Sequence, residues 1–266
     1  MKDATRALAA HTLKVLGLNL GVLGVVAILW HLSARVSQSS FFPGPASVFA
    51  ALRDILVAGD IQGYSLWDHI WASLVRVLSG FAAASLTGVA LGMLLGLRRT
   101  AYEATKGVLE PLRFIPPIAW IPLAIVLLRG FSRYVFIIWI GAFFPILVAT
   151  MAGVMRVSPL WVDVSKVLGA RRLFIVLKVV VPGALPEIVA GMRIGLGVGW
   201  MCIVAAEMIG GESVGLGRLM MNYSDLLRVD MVIVGMLTIG LIGYVTNEIL
   251  IVVERRLFPW RRRIKI

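Results

Sequence analysis

The chain has 266 residues, 59% of them hydrophobic and only 15% charged, with a mean hydropathy of +0.92 and a net charge of +12. Soluble domains carry about a quarter charged residues, so this composition places the chain among membrane proteins. The single cysteine, Cys202, excludes an intrachain disulfide; His11, His31 and His69 have no ligand spacing, and no phosphate-binding loop or nucleophile pattern is present.

A membrane helix needs about 20 apolar residues. The first candidate is 15–32, preceded by Lys2, Arg6 and Lys14. It is too long for the apolar part of a signal peptide and lacks a small-residue cleavage site, so a retained span is expected. Residues 43–60 join turn residues to an amphipathic pattern, which predicts a short helix near the outer surface. A helix over 66–79 then runs into a second span, 81–97, that carries Gly88, Gly92 and Gly96. Glycines four residues apart share one helix face and let another backbone approach closely. A third, shorter span over 114–128 contains Pro116, Pro117 and Pro122, which a membrane helix tolerates where neighbours bond the freed carbonyls. Spans four to six are 134–155, 188–209 and 231–253, and 212–230 forms a glycine-containing loop with a short helix. Span five repeats the glycine spacing with Gly191, Gly195 and Gly199, with Gly197 between. The sequence leaves open whether this packing lies within one chain or between two copies.

Charge supports six spans. With the N-terminus inside, segments 1–14, 98–113, 156–187 and 254–266 hold 18 of the 26 basic residues, the outer segments 7, and one lies within a span. That bias follows the positive-inside rule. Omitting the proline-rich span puts the basic tail on the wrong side. The positive charge therefore reads as topology and contact with lipid headgroups, with no nucleic-acid partner.

Span five also contains Arg193 and Glu207, 14 residues apart and therefore on one face, about 21 Å from each other. In one reading this face lines a pathway, with Arg193 near the inner end and Glu207 near the outer end, and with Gly195, Gly199 and Trp200 between them. In the other, both charges reach to the two interfaces and anchor the helix. Trp200, Met201 and Met208 read first as packing.

The longest inner segment runs from Ser158 to Glu187. Ser158-Pro159 is a helix start, Leu160, Val164, Val167 and Leu168 follow at helical spacing, and Gly169-Ala170 break the pattern. A second helix over 171–181 is expected to end at Pro182. Its apolar Leu173, Phe174 and Val176 are flanked by Arg171, Arg172 and Lys178. An amphipathic hairpin on anionic lipid explains these charges. It does not require Asp163, Gly169 and Pro182 at their particular distances.

Those distances carry a resemblance. The membrane subunits of ATP-binding-cassette importers show the pattern E-A-A-x-x-x-G-x9-I-x-L-P. This chain reads Asp163-Val164-Ser165, three residues, Gly169, nine residues, then Val179-Val180-Val181-Pro182. The stretches "FFPGPASVFAAL", "RVLSGFAAASLTGVALGMLLG", "LRFIPPIAWIPLAIV" and "GMRIGLGVGWMCIVAAEMIG" are similar to the nitrate/taurine/sulfonate branch of these permeases. Where members often carry Trp-Phe-Gly after the proline-rich span, this chain has "VLLRGFSRY", which adds Arg129 and Arg133.

The resemblance implies an all-α integral membrane protein of six transmembrane helices with the type I importer permease fold, both termini cytoplasmic, in the inner membrane of a prokaryote. It implies one permease domain over 1–266: an extra span within 1–40, a five-helix core over about 75–260, and a coupling segment at 156–187. Asp163, Leu168, Gly169, Ala170, Arg171, Arg172, Leu173, Phe174 and Pro182 would couple to an ATPase. The implied partners are two ATPase subunits, a second copy of the chain, an extracytoplasmic solute-binding protein and membrane lipid. The chain itself would be no enzyme and hold no cofactor, ATP and Mg being bound by the partner. The implied cargo is a small anion such as a sulfonate, taurine, nitrate or bicarbonate, with Arg193 a candidate to meet it. The alternatives are a permease of the same family for a non-anionic nutrient and a self-sufficient secondary transporter. The latter predicts an inverted repeat and a midplane ion site, neither of which the sequence displays. A membrane-embedded enzyme needs clustered acids, histidines or cysteines at one depth, and three scattered histidines do not supply them.

Overall fold

A computed structural model describes the backbone except residues 1, 38, 40 and 258–266, and the side chains from residue 17 onward except those of 38, 40, 255, 257 and 258–266. The amino-terminal basic side chains and the basic tail, on which the expected orientation of the termini rests, lie outside that set. The described regular structure is helical: α1 (Lys2–Ser37), α2 (Pro45–Ala58), α3 (Leu66–Leu97), α4 (Arg99–Arg113), a 3-10 turn (Pro117–Trp120), α5 (Ile121–Leu127), α6 (Phe131–Met155), α7 (Pro159–Val167), α8 (Arg172–Ile175), a π turn (Val176–Val180), α9 (Val181–Ile209), α10 (Leu216–Asp225) and α11 (Val229–Leu257). Five stretches are long and apolar enough to cross a membrane: Gly17–Ser37, Leu66–Leu97, Phe131–Met155, Arg172–Ile209 and Val229–Glu254. A sixth arises if α4 and the following 3-10 turn and α5 count as one.

Local chemistry sets the starts. Ser65 accepts a hydrogen bond from the Asp68 amide at 3.3 Å while its own amide donates to the Asp68 carboxylate at 2.9 Å, a capping box that fixes the first turn of α3. α6 forms the centre. It is apolar all round and packs between α3 and α9, and the glycine stripes are what bring the three together. A Cβ on Gly92 would lie 2.7 Å from the Leu147 carbonyl oxygen, and one on Gly96 2.7 Å from Val154 Cβ. On α9, a Cβ on Gly191 would collide with Ala149 Cβ, and one on Gly195 would lie 3.0 Å from the Ala142 carbonyl oxygen. Both stripes therefore close on α6 within a single chain.

Two expectations change. The third span is broken: α4 and the helical segment after it meet at 88°. Pro116 pushes Ile115 out of helical conformation and Pro117 has no amide to continue the ladder. The seven residues of α5 rise about 10 Å, a third of a bilayer core. α5 alone does not cross, yet α6 begins beside the start of α3, with the Arg76 guanidinium 4.4 Å from the centre of the Tyr134 ring. Residues 98–130 thus carry the chain back from the far end of α3. The second change is at Pro182, which starts α9 rather than ending the helix before it. The Val181 amide donates to the Val176 carbonyl, five residues back, and this wider π turn leads from α8 straight into α9. One helical run extends from Arg172 to Ile209.

Candidate functional site

At one end of the molecule α7 and α8 make a bent crown. Pro159 stands in the first turn of α7, where a missing amide costs nothing. α7 ends in a Schellman turn: the Gly169 amide donates to the Lys166 carbonyl at 2.9 Å and the Ala170 amide to the Ser165 carbonyl at 3.0 Å. Gly169 has φ +77°, a conformation that disfavours any residue with a Cβ. Ile175 is buried with Val154, Val180, Ala184 and Ile188, and this anchors the crown. Around it Leu168 is 80% exposed, Leu173 70% and Phe174 55%, so apolar surface points away from the protein. Arg171 and Arg172 are exposed beside them. Asp163 pairs with Lys166 at 2.9 Å, also in solvent. Between α7 and α9 a cleft of about 820 Å³ is lined by Trp161, Val164, Lys178 and Pro182 among others. The structure thus gathers the whole sequence-identified coupling set at one end, with Pro182 at the cleft floor.

The residues named for a pathway are distributed differently. Arg193 is exposed, its Nε 3.3 Å from Asn247 Oδ1 on α11. Ala190, Ile194, Gly197 and Met201 are exposed at matching helical positions and form one open, largely apolar face with it. Gly195 and Gly199 turn toward α6, and Trp200 is buried, its Nε1 donating to Thr246 Oγ1 at 3.2 Å.

Glu207 is 1% exposed, because α10 folds back over it. Its carboxylate accepts from Arg76 Nη1 at 2.7 Å, from Ser73 Oγ at 2.8 and 2.9 Å, and from the Gly217 amide at 2.9 Å. Ser73 in turn accepts from the Leu216 amide at 2.9 Å. His69 Nδ1 accepts from the Gly215 amide at 3.0 Å and also lies 3.0 Å from the Gly215 carbonyl oxygen, and its Nε2 is 3.2 Å from Asp60 Oδ2. Three successive amides at the start of α10 are therefore held by three side chains from α3 and α9. Arg133, whose role the sequence did not indicate, donates to the Gly210 carbonyl at 2.6 Å and closes the end of α9. Sequence reasoning named Glu207 but missed Asp60, His69, Ser73 and Arg76. The signal was there: His69, Ser73 and Arg76 are polar at i, i+4 and i+7 in an apolar helix, one stripe on one face. Among the described residues no three histidines, cysteines or acids are placed to hold a metal ion.

Residues 88–263 match the family described as the binding-protein-dependent transport system inner membrane component. The chain belongs to that family. It is 39% identical to a putative ABC transporter permease protein of Methanocaldococcus jannaschii, over 95% of each chain. It is 34% identical to the taurine transport system permease protein TauC of Escherichia coli, over 93% of this chain and 91% of that one. Its fold matches a chain of the MetNI methionine ABC transporter in an inward-facing conformation, with a TM-score of 0.56 and 21% identity, over 71% of this chain and 95% of the other. The protein is thus a permease of the ABC importer class, a multi-pass inner-membrane protein and a transporter component, as the coupling pattern implied.

Proposed function

We propose that this permease carries a small anion inward, driven by ATP hydrolysis on a separate subunit that docks on the α7–α8 crown. The observation that supports this best is the crown itself. It exposes Leu168, Leu173 and Phe174 beside Arg171 and Arg172, and its backbone is continuous with α9, a wall of the helix core. A groove with an acidic rim and an apolar floor complements that surface. ATP and Mg are held by the partner. A second copy covers the open face of α9, and the pathway forms between the two, with Arg193 as the cation that meets the anion. Residues 156–187 are the coupling segment, 75–260 the core and 1–40 an accessory span. The broken α4–α5 pair counts as a crossing, which puts both termini and the crown in the cytoplasm. A cargo with an anionic group is supported by Arg193 and by the relative named for taurine, which carries a sulfonate.

The test is gentle purification of the tagged chain with whatever it binds. An ATPase subunit in stoichiometric amount, lost when Arg171, Arg172 and Phe174 are changed together to Glu, is the expected outcome. A chain that transports in liposomes alone, without ATP, overturns the proposal. For the cargo, uptake of taurine, nitrate and bicarbonate is compared in the assembled complex. Arg193→Ala is expected to reduce uptake of the accepted anion at least tenfold.

A further inference from the structure

The Schellman turn that ends α7 on Gly169 recurs at the end of α10, with a leucine in the glycine's place. The Leu227 amide donates to the Ser224 carbonyl at 2.9 Å and the Arg228 amide to the Tyr223 carbonyl at 2.9 Å. Leu227 has φ +57° and is the one non-glycine residue with positive φ among the described residues. A Cβ is unfavourable there, and glycine relieves it. The side chain gains nothing from folding in return: Leu227 is 66% exposed and Leu226 beside it 53%. Strain kept at an exposed apolar residue points to a use outside the fold.

The tip does not stand alone. α2 packs against α11, the helix that follows the tip, and its Leu52 and Leu56 line one cavity with Val234. The turn after α2 also reaches the start of α10, through Asp60 and His69. Charges of both signs flank the two leucines: Asp225, and the Arg228–Asp230 pair, which is bidentate at 3.0 and 2.8 Å. An apolar centre inside a mixed polar rim is the layout of a protein-docking patch. A surface meant for anionic lipid carries an excess of lysine and arginine instead. The patch lies between spans, at the end of the molecule opposite the crown. The family description states dependence on a binding protein.

We propose that Leu226 and Leu227 form the surface on which the extracytoplasmic binding protein seats, the two leucines entering an apolar depression on that protein. This rests on the importer orientation proposed above.

The test separates folding from docking at one residue. Leu227→Gly removes the side chain and relieves the turn. In the complete complex of permease, ATPase and binding protein, its melting temperature is expected to equal or exceed that of the wild type. Basal ATPase activity is expected to be unchanged, while the binding-protein concentration that gives half-maximal stimulation rises at least tenfold. Leu226→Ser, at an unstrained position, is expected to shift the same curve in the same direction. A stimulation curve that overlays the wild type for both variants overturns the proposal, and so does a lowered melting temperature for Leu227→Gly. Curves unchanged in detergent with activity lost only in vesicles assign the tip to lipid and also overturn it. A wild-type complex with no response to any binding protein removes the importer reading itself, and this proposal with it.

Discussion

Glu207 sits almost dry at the end of an apolar helix, held by three donors, Ser73, the Gly217 amide and the oppositely charged Arg76. Removing one member leaves the other buried and uncompensated, which costs about 3–5 kcal/mol. Glu207→Ala and Arg76→Ala are each expected to destabilise by about that amount. The double substitution to Met is expected to lose far less than the sum, read from unfolding in detergent as a double-mutant cycle. Additive losses would mean that the two groups do not act as a pair. The sequence located Glu207 but not its partner. Arg76 lies 131 positions away, and the only other charge in the predicted span, Arg193, is 14 residues and about 21 Å off. Helical periodicity shows which residues share a face and is silent on which helix covers that face. The same limit hid Arg133, whose partner is the backbone carbonyl of Gly210.

At the scale of elements the glycines divide by what they face. Gly92→Leu drives side-chain atoms into the α6 backbone, and a loss of about 1–3 kcal/mol or more is expected from overpacking. Gly197 has nothing within 4 Å of a built Cβ. Gly197→Ala is expected to gain about 0.5–1 kcal/mol from helix propensity alone. Thermal unfolding of the two variants side by side checks both, and equal effects would deny that the stripes are contact surfaces. Gly169→Ala opposes a φ of +77° and is expected to cost about 1 kcal/mol in the crown. Its measurable consequence is weaker retention of the ATPase at unchanged overall folding. The helix spans were legible because twenty apolar residues in a row admit few other readings. The third, expected over 114–128, is divided at its prolines, with α4 and the segment after it meeting at 88°. Pro182 was misjudged because a π turn widens the backbone just before it, which no spacing rule registers.

For the whole molecule, the charge count is a statement about sides, and the structure supplies two ends at which to test it. The Asp60–His69–Glu207 network and the α10 tip lie at one end and the crown at the other. Cysteines placed singly at Ser213 and Lys166, both in exposed loop or crown positions apart from the apolar spans, are expected to react with a membrane-impermeant maleimide from opposite faces of sealed vesicles. Native Cys202, 2% exposed, is expected to stay silent. Labelling of both sites from one face would refute a crossing by the Arg172–Ile209 run that separates them. Overall architecture was readable because a bilayer leaves helices few options. The network at the α10 end was not, since it is assembled from the turn after α2, α3, α9 and the start of α10, which only folding brings together.

The run from Arg172 to Ile209 is gripped near its middle, where Gly191, Gly195 and Gly199 press on α6, while both ends are attached to something else. Such a rod behaves as a seesaw. From Gly195 the arm toward the crown is 23 residues and the arm toward α10 is 14, or about 35 Å and 21 Å. A tilt of about 5° about that fulcrum moves the crown by roughly 3 Å and the α10 end by roughly 2 Å, in opposite directions, using the same rise per residue. Work done on the crown by a nucleotide-driven partner would then reach the opposite surface without unfolding a turn, and a solute arriving there would push back on the machinery that consumes ATP.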